Sequence, residues 1–150
     1  MEESHDDGMN IGLLLFLPYR SLETRVFAAL ARAGYDDFTA AQMKIMQRIG
    51  PDGTRLTDLA EQAQVTKQTA GFLVGQLEKG GWVVRTPDPT DGRARLVCLT
   101  ERAKEAIPVA DAAVAEVTAD WEAHLGPRRM KRLRETLIML REIADPYAHQ

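Results

Sequence analysis

One short segment of the chain combines side chains that can bind both the bases and the phosphates of nucleic acid. Thr66, Lys67, Gln68 and Thr69 stand at the start of a predicted helix, and Phe72 follows one turn later. Glutamine can pair bidentately with adenine, lysine can contact a guanine edge or a phosphate, and an aromatic ring can contact the methyl group of thymine. This pattern is typical of a helix that enters the major groove of duplex DNA.

Basic residues are also concentrated just after this helix. The β-prone runs 82–85 and 96–99 flank the turn-forming segment 87–92, which predicts a two-stranded hairpin, or wing. We expect its basic residues to contact phosphates. They are Arg85, Arg93 and Arg95.

Two residues near the tip of the predicted hairpin are given specific roles. Arg93 is placed to enter the narrow minor groove, where the negative potential is enhanced. Asp91 is predicted to orient an arginine by a charge-assisted hydrogen bond. Arginines in a turn are otherwise merely solvated, but a helix-turn-helix directly upstream favours contact with DNA.

The elements before the hairpin form the predicted helix-turn-helix. Thr57 is expected to cap a short helix, a turn around Gln64 and Val65 follows, and Thr66 caps a second helix that ends at Lys79. The apolar residues of this second helix recur at helical spacing and should face the core. They are Ala70, Leu73, Val74 and Leu77.

Two helices precede this unit. Apolar residues at helical spacing predict a helix over 10–33 that ends at Gly34, with Pro18 starting or bending its regular part. Thr39 and Gln42 form a capping-box pair at the start of the next helix.

Two long helices follow the hairpin. Thr100 caps a helix reaching about Leu125, and a break at 126–127 precedes a helix that ends near Ala144. Both have apolar stripes that would leave a large apolar surface exposed in a monomer, so a second copy of the chain is expected to bury them. The first stripe contains Ala103, Ala106, Ile107, Ala110, Ala113, Val114, Val117 and Trp121, and the second contains Met130, Leu133, Leu137, Leu140 and Ala144.

Composition limits the other possibilities. The net charge is −3, but phosphates respond to a local basic patch and not to the chain total. The apolar run 11–17 is shorter than the roughly 20 residues of a membrane span, so we expect a cytoplasmic protein that does not contact a membrane. The single cysteine, Cys98, excludes an internal disulfide and is expected to be a buried strand thiol and not a redox switch.

An enzyme is not expected. The three histidines are scattered, and no His, Cys or Asp spacing suggests a metal site. The chain also has no phosphate-binding glycine loop and no nucleophile elbow, so neither a metal nor a cofactor is predicted.

Three stretches of the sequence resemble the MarR family of winged helix-turn-helix regulators. They are Leu56-Thr57-Asp58-Leu59-Ala60, Gln76-Leu77-Glu78-Lys79-Gly80-Gly81-Trp82-Val83, and Asp88-Pro89-Thr90-Asp91-Gly92-Arg93 continuing to Leu99-Thr100. The resemblance implies a homodimer in which the first, fifth and sixth helices of two chains interlock. It also implies repression of nearby genes, often relieved by a small ligand.

The sequence departs from this family at two places. Gly71-Phe72 replaces a Thr-Arg pair that many members have, so base preference is not transferable. Gly92 stands where a second wing arginine is frequent. Some relatives sense oxidants through a cysteine in the first helix, and this chain has none there.

A ligand site is a further hypothesis that rests on the family analogy. Aromatic and methionine side chains between the first two helices could bind an aromatic or phenolic effector, with Arg20 available for a carboxylate. The other candidates are Phe16, Tyr19, Tyr35, Met43 and Met46, although such residues at helical spacing more often belong to a core.

The sequence therefore predicts a mostly α protein with a small β-hairpin wing. Residues 1–9 are expected to be disordered, 39–100 to form the winged helix-turn-helix, and 10–38 with 101–145 to form the dimerisation helices. The predicted partners are a second copy of the chain, a pseudo-palindromic site in double-stranded DNA and a small effector. The alternative is a winged-helix module that binds another protein and never contacts DNA.

Overall fold

A computed structural model describes residues 8–146 and has the predicted, mostly helical architecture. Disorder is expected for residues 1–9, and residues 1–7 of this segment lie outside the described range. Along the chain the elements are α1 (Ile11–Arg32), α2 (Ala40–Met46), β1 (Thr54–Arg55), α3 (Leu56–Gln62), α4 (Lys67–Lys79), β2 (Val83–Asp88), β3 (Asp91–Leu99), α5 (Glu101–Leu125) and α6 (Pro127–Ala144).

Side-chain caps define where the first two helices begin. The Asn10 carboxamide accepts a hydrogen bond from the Leu13 amide at 3.0 Å, so α1 starts before Pro18 and contains it. The prediction that Pro18 starts the regular part of this helix is therefore wrong. The capping box at α2 is confirmed, because Thr39 and Gln42 each accept a bond from the other's backbone amide.

The helix-turn-helix consists of α3 and α4. Its turn depends on Gln64, which adopts a φ of +57°, and on a bond from the Val65 amide to the Ala60 carbonyl at 3.0 Å. The Thr66 cap of α4 is confirmed, but the Thr57 cap of α3 is wrong. The chain passes directly from β1 into α3, so Arg55 is the residue before the helix and provides no side-chain cap.

The sheet has three antiparallel strands in the order β1-β3-β2, one more than predicted. Strand β1 is only two residues long and pairs Thr54 with Val97. The wing is longer than the sequence indicated, because β2 continues through Pro87 to Asp88 and β3 resumes at Asp91. Pro87 is tolerated because β2 is an edge strand and its pairing becomes irregular between Pro87 and Asp88.

The core lies where α2, α4 and the sheet meet α1 and the start of α5. The four predicted core residues of α4 are all buried. Trp82 lies at the centre with 1% of its surface exposed, and Phe38 packs edge-on against it with the ring centroids 5.1 Å apart. Such an aromatic pair adds about 0.5–1.5 kcal/mol beyond its area burial.

The two long helices bury their stripes differently. On α5, Ala103, Ala106, Ala113 and Val117 are buried within the chain, where α5 packs against α1, so the expectation that a second copy buries this whole stripe is wrong. In α6 no residue is buried. Its large apolar side chains remain exposed, among them Leu133, Leu137, Ile138, Met139, Leu140 and Ile143.

No helix of the described residues 8–146 is long and apolar enough to cross a membrane.

Gly53 should be the glycine whose replacement costs most. Its φ is +91°, and a Cβ built there would lie 2.6 Å from the Cys98 sulfur and 3.0 Å from the Leu96 Cβ. We predict that Gly53→Ala lowers the free energy of unfolding by about 1–3 kcal/mol, because the backbone is left-handed and the space is filled. Urea denaturation at fixed protein concentration measures this.

Gly75→Ala is the matched control. Gly75 lies inside α4, and no neighbouring atom lies within 4 Å of the place that an added methyl group would occupy. This substitution should therefore raise the free energy of unfolding by about 0.5–1 kcal/mol. If both substitutions changed the free energy of unfolding equally, the left-handed backbone of Gly53 and its close approach to β3 could not be the cause.

Candidate nucleic-acid interface

The first turn of α4 presents an exposed polar surface. Thr66, Lys67, Gln68 and Thr69 are all exposed, and this turn contains no acidic residue. The Thr66 hydroxyl accepts a bond from the Thr69 amide at 3.0 Å and lies 2.9 Å from the Thr69 hydroxyl. Thr66 therefore shapes the helix start, and Lys67 and Gln68 are the longer side chains that extend beyond it.

Phe72 lies four residues after Gln68 on the same face of α4 and is 66% exposed. The other described phenylalanines near the core, Phe27 and Phe38, pack against each other with centroids 5.6 Å apart. An aromatic ring left in water beside a polar helix start favours contact with another molecule.

The wing places two arginines on one face. Arg93 and Arg95 are both exposed and are two residues apart in β3, so their side chains leave the strand on the same side. Asp91 bonds to an arginine, but through the backbone and not through the guanidinium. Its carboxylate accepts a bond from the Arg93 backbone amide at 3.1 Å, and it thereby fixes the backbone of the wing tip.

A second acidic residue, which sequence reasoning passed over, holds the wing in place. Asp88 is 6% exposed and lies 2.8 Å from Nε of Arg55, the last residue of β1. Its other carboxylate oxygen accepts bonds from the amide and hydroxyl of Thr90, at 2.8 and 2.7 Å. The spacing Asp88-Pro89-Thr90 is typical of an Asx turn and was the available signal for this role.

These contacts lower the pKa of the Asp88 carboxyl to about 2, with the Thr90 amide and hydroxyl as the largest causes and Arg55 next. Because the folded-state pKa lies below the usual value of 3.8, the carboxylate stabilises the fold at higher pH. That contribution is lost as the pH falls from about 4 to 2.

Arg85 is directed away from the wing tip. Its Nε lies 3.6 Å from a carboxylate oxygen of Glu78 in α4, and it stands opposite Val97 in the sheet. The structure therefore groups Arg93 and Arg95 in the distal wing but places Arg85 against α4.

A cavity of about 450 Å³ lies between α1, α2 and α5. Three of the predicted ligand contacts, Tyr19, Met43 and Met46, line it. Phe16, Arg20 and Tyr35 do not. The Arg20 guanidinium instead lies over the Phe16 ring, 5.6 Å from its centroid, so the expected partner for a ligand carboxylate is absent from the cavity wall.

Trp82 connects this cavity to the helix-turn-helix. The ring lines the cavity, and the Arg102 guanidinium of α5 lies 3.9 Å from its centroid. Arg102 also donates to both carboxylate oxygens of Asp37, at 3.0 and 2.9 Å, and to the Gly80 carbonyl. Its hydrogen bonds hold the pKa of Asp37 below the usual value.

Cys98 lies in β3, as predicted, but is half-buried rather than fully buried. Its sulfur is 3.5 Å from the Thr86 hydroxyl. Within residues 8–146, no group of three or more His, Cys, Asp or Glu side chains is arranged to hold a metal ion.

Comparison with known proteins points to one family. Residues 36–94, which span α2 to the wing, match a model described as the MarR family. The chain is 34% identical over 70 residues to an uncharacterized HTH-type transcriptional regulator, YfiV, of Bacillus subtilis, covering 46% of this chain and 44% of that one. It is 31% identical over 94 residues to the transcriptional activatory protein BadR of Rhodopseudomonas palustris, covering 63% and 53%. These matches span about half the length of either relative.

Solved structures extend the similarity to nearly the whole chain. A MarR family protein of Mycobacterium tuberculosis, Rv2887, in complex with salicylic acid, superposes with a TM-score of 0.62 at 27% identity, covering 88% of this chain and 96% of that one. The similarity therefore includes the outer helices as well as the winged unit.

We predict that Asp88→Asn weakens DNA binding about 3- to 10-fold, although it removes a negative charge. Loss of the ion pair with Arg55 should loosen the wing, whereas simple electrostatics would strengthen binding. Fluorescence anisotropy with a labelled duplex distinguishes the two signs. The control is Asp91→Asn, which keeps an acceptor for the Arg93 amide and should bind DNA as tightly as wild type or tighter.

Proposed function

Because the chain is a member of the MarR family of winged-helix transcription regulators, we propose that it binds a pseudo-palindromic operator as a homodimer and represses transcription. A small molecule in the cavity between α1, α2 and α5 would relieve repression. The observation that supports DNA binding most strongly is the exposed, acid-free start of α4 beside a wing with two exposed arginines.

The charges around α4 and the wing support phosphate contact despite the net charge of −3. Between residues 66 and 95 there are three acidic residues, and two of them pair with arginines: Glu78 with Arg85 and Asp88 with Arg55. Lys67 stands at the start of α4, where the helix dipole adds positive potential. The local field at the interface is therefore more positive than the chain total suggests.

Base contact is proposed for Gln68 and Phe72, and phosphate contact for Lys67. In this arrangement α4 enters the major groove with its first two turns, and Gln68 pairs with one adenine. Arg93 and Arg95 of the wing lie along the adjacent backbone, with Arg93 reaching the minor groove. Thr66 holds the helix start by donating to the Thr69 hydroxyl, Thr69 keeps its own hydroxyl donor for DNA, and Arg85 supports α4 through Glu78.

Homodimerisation is proposed from the exposed apolar surface of α6 and α1. The side chains of Leu133, Leu137 and Leu140 are about two-fifths exposed, and Ile143 is 87% exposed. Leu133, Leu137 and Leu140 recur at helical spacing on one face of α6, and an apolar face left in water favours contact with another protein surface. A two-fold dimer would cover it and present two α4 helices to successive major grooves, about 34–36 Å apart.

Ligand control is proposed from the position of the cavity. The cavity is bounded by α1 and α5 of the outer helices and by Met43, Met46 and Trp82 of the winged unit. A ligand that binds more tightly to the DNA-incompetent arrangement of these parts would lower operator affinity.

Activation is the second candidate for the direction of regulation, because the relative BadR is described as an activatory protein. A reporter gene placed under the native promoter decides between the two. Deletion of the regulator should raise reporter expression for a repressor and lower it for an activator.

The residue roles predict different losses for two substitutions on an operator isolated by in vitro selection. Arg93→Ala should weaken binding to all sequences and reduce the slope of log affinity against log salt by about 1, because one phosphate contact is lost. Gln68→Ala should relax preference at one base pair by about 1–3 kcal/mol. Anisotropy at several salt concentrations measures both effects.

Arg128→Ala is the control, since Arg128 is exposed at the start of α6, far along the chain from α4 and the wing. It should leave affinity and salt slope within error of wild type. If Gln68→Ala weakened all sequences equally, the base contact proposed for this side chain would be refuted.

The proposed dimer predicts how a single charge introduced into the apolar stripe of α6 would change the oligomeric state. Leu137→Glu should convert the dimer into a monomer at micromolar concentration and weaken operator binding by at least tenfold, because it buries a charge at the interface. Sedimentation velocity measures the oligomeric state. Arg134→Glu, on the same helix and also exposed, is the control; dissociation by both variants or by neither would argue against this interface.

A further inference from the structure

The charged residues of the cavity wall have one sign. The wall is largely apolar, and among the described residues that line it the only charged side chains are those of Glu23 and Asp111. Glu23 is half-buried on α1, and Asp111 is exposed on α5. The charged side chains of the wall itself are therefore both carboxylates, although the Arg48 guanidinium lies close enough to Tyr19 to oppose the rise of its pKa.

Two other carboxylates of α5 pair with an arginine of α1, whereas Glu23 and Asp111 do not. Arg25 pairs with Glu116 at 3.1 Å and with Asp120 at 2.6 Å. Within residues 8–146, neither Glu23 nor Asp111 lies within 4.0 Å of a lysine or arginine nitrogen. The Tyr19 hydroxyl is the hydrogen-bond partner of Glu23, so a ligand cation would share this carboxylate with Tyr19.

The rest of the wall suits a flat apolar group. Trp82 and Phe38 provide aromatic rings, and Met43, Met46 and Leu30 provide apolar contacts. Aromatic faces attract cations as well as apolar groups. Tyr19 adds a hydroxyl beside Glu23; burial, and then this carboxylate, raise the pKa of Tyr19.

We propose that the cavity binds an amine: a small molecule that joins an aromatic or similarly apolar group to one protonated nitrogen, with Glu23 and Asp111 as its counter-ions. This proposal rests on the ligand site of the proposed function and specifies its chemistry. An ammonium would form charge-assisted hydrogen bonds with the carboxylates, whereas a carboxylate ligand would be repelled by them and would lose its water without compensation. The effector class thus differs from the salicylic acid bound to the Mycobacterium tuberculosis protein.

Three probes that share the same apolar group and differ in their polar group test the proposal. They are para-tert-butylbenzylamine, para-tert-butylbenzyl alcohol and para-tert-butylbenzoate, titrated into the full-length protein by calorimetry at neutral pH. The amine should bind at least tenfold more tightly than the benzoate and more tightly than the alcohol. Fluorescence of Trp82 in a Trp121→Phe background should change on amine binding, because Trp82 lines the cavity.

Variants that remove one carboxylate charge with little change in side-chain size test which carboxylate pairs with the amine. Glu23→Gln and Asp111→Asn should each weaken amine binding about 3- to 10-fold and leave alcohol binding unchanged. Glu105→Gln is the matched control, since Glu105 is exposed on α5 and does not line the cavity. Circular dichroism confirms that each variant is folded.

The outcomes separate this proposal from the proposed function. Benzoate binding as tight as amine binding, no detectable amine binding, or amine binding that is insensitive to both Glu23→Gln and Asp111→Asn would each overturn the amine proposal. Operator binding by the unliganded protein is measured independently. If it is absent while the amine binds as expected, the DNA-binding function fails and the amine site stands.

Discussion

The packing of Arg102 on Trp82 is the interaction on which the position of α5 against α4 and the sheet depends. The guanidinium lies 3.9 Å from the indole centroid, bonds both oxygens of Asp37 and reaches the carbonyl of Gly80 at the end of α4. One side chain in the first turn of α5 thus contacts the α1–α2 connection, the end of α4 and the start of β2. Removing it would leave the buried indole and the Gly80 carbonyl without their partner, which costs more than the loss of a surface ion pair.

The same contact would connect ligand binding in the cavity to the proposed DNA-binding surface. Trp82 has one part in the cavity wall and another under Arg102, and it leads directly into β2 of the wing. A ligand that moves the indole would act on α4 and the wing together, because Asp88 and Arg55 hold the wing to β1 and Glu78 holds Arg85 to α4. Because packed elements shift as units rather than deforming continuously, a small displacement would alter the spacing of the two α4 helices in the proposed dimer.

Local chemistry predicts most of the elements but fewer of the contacts between them. The caps at Thr39, Thr66 and Thr100 are short-range features with one good structural solution, and all three are confirmed. Strand β1 could not be predicted, because two residues contain no periodicity. Asp88, and not Asp91, pairs with an arginine side chain. Its partner Arg55 is distant in sequence, so local spacing does not indicate the pair. Arg20 packs on Phe16 and does not line the cavity, which the sequence could not indicate because helical spacing specifies a face of the helix but not what packs against it.

The central claim is that α4 and the wing recognise a specific DNA sequence. Its most direct test is the affinity of the wild-type protein for the DNA flanking its own gene, measured by anisotropy at several salt concentrations against random duplexes. The account predicts that one fragment binds at least about 10³-fold more tightly than random DNA and that log affinity falls linearly with log salt. Absence of binding to any duplex at low salt would contradict it and would indicate a winged-helix module that binds another protein.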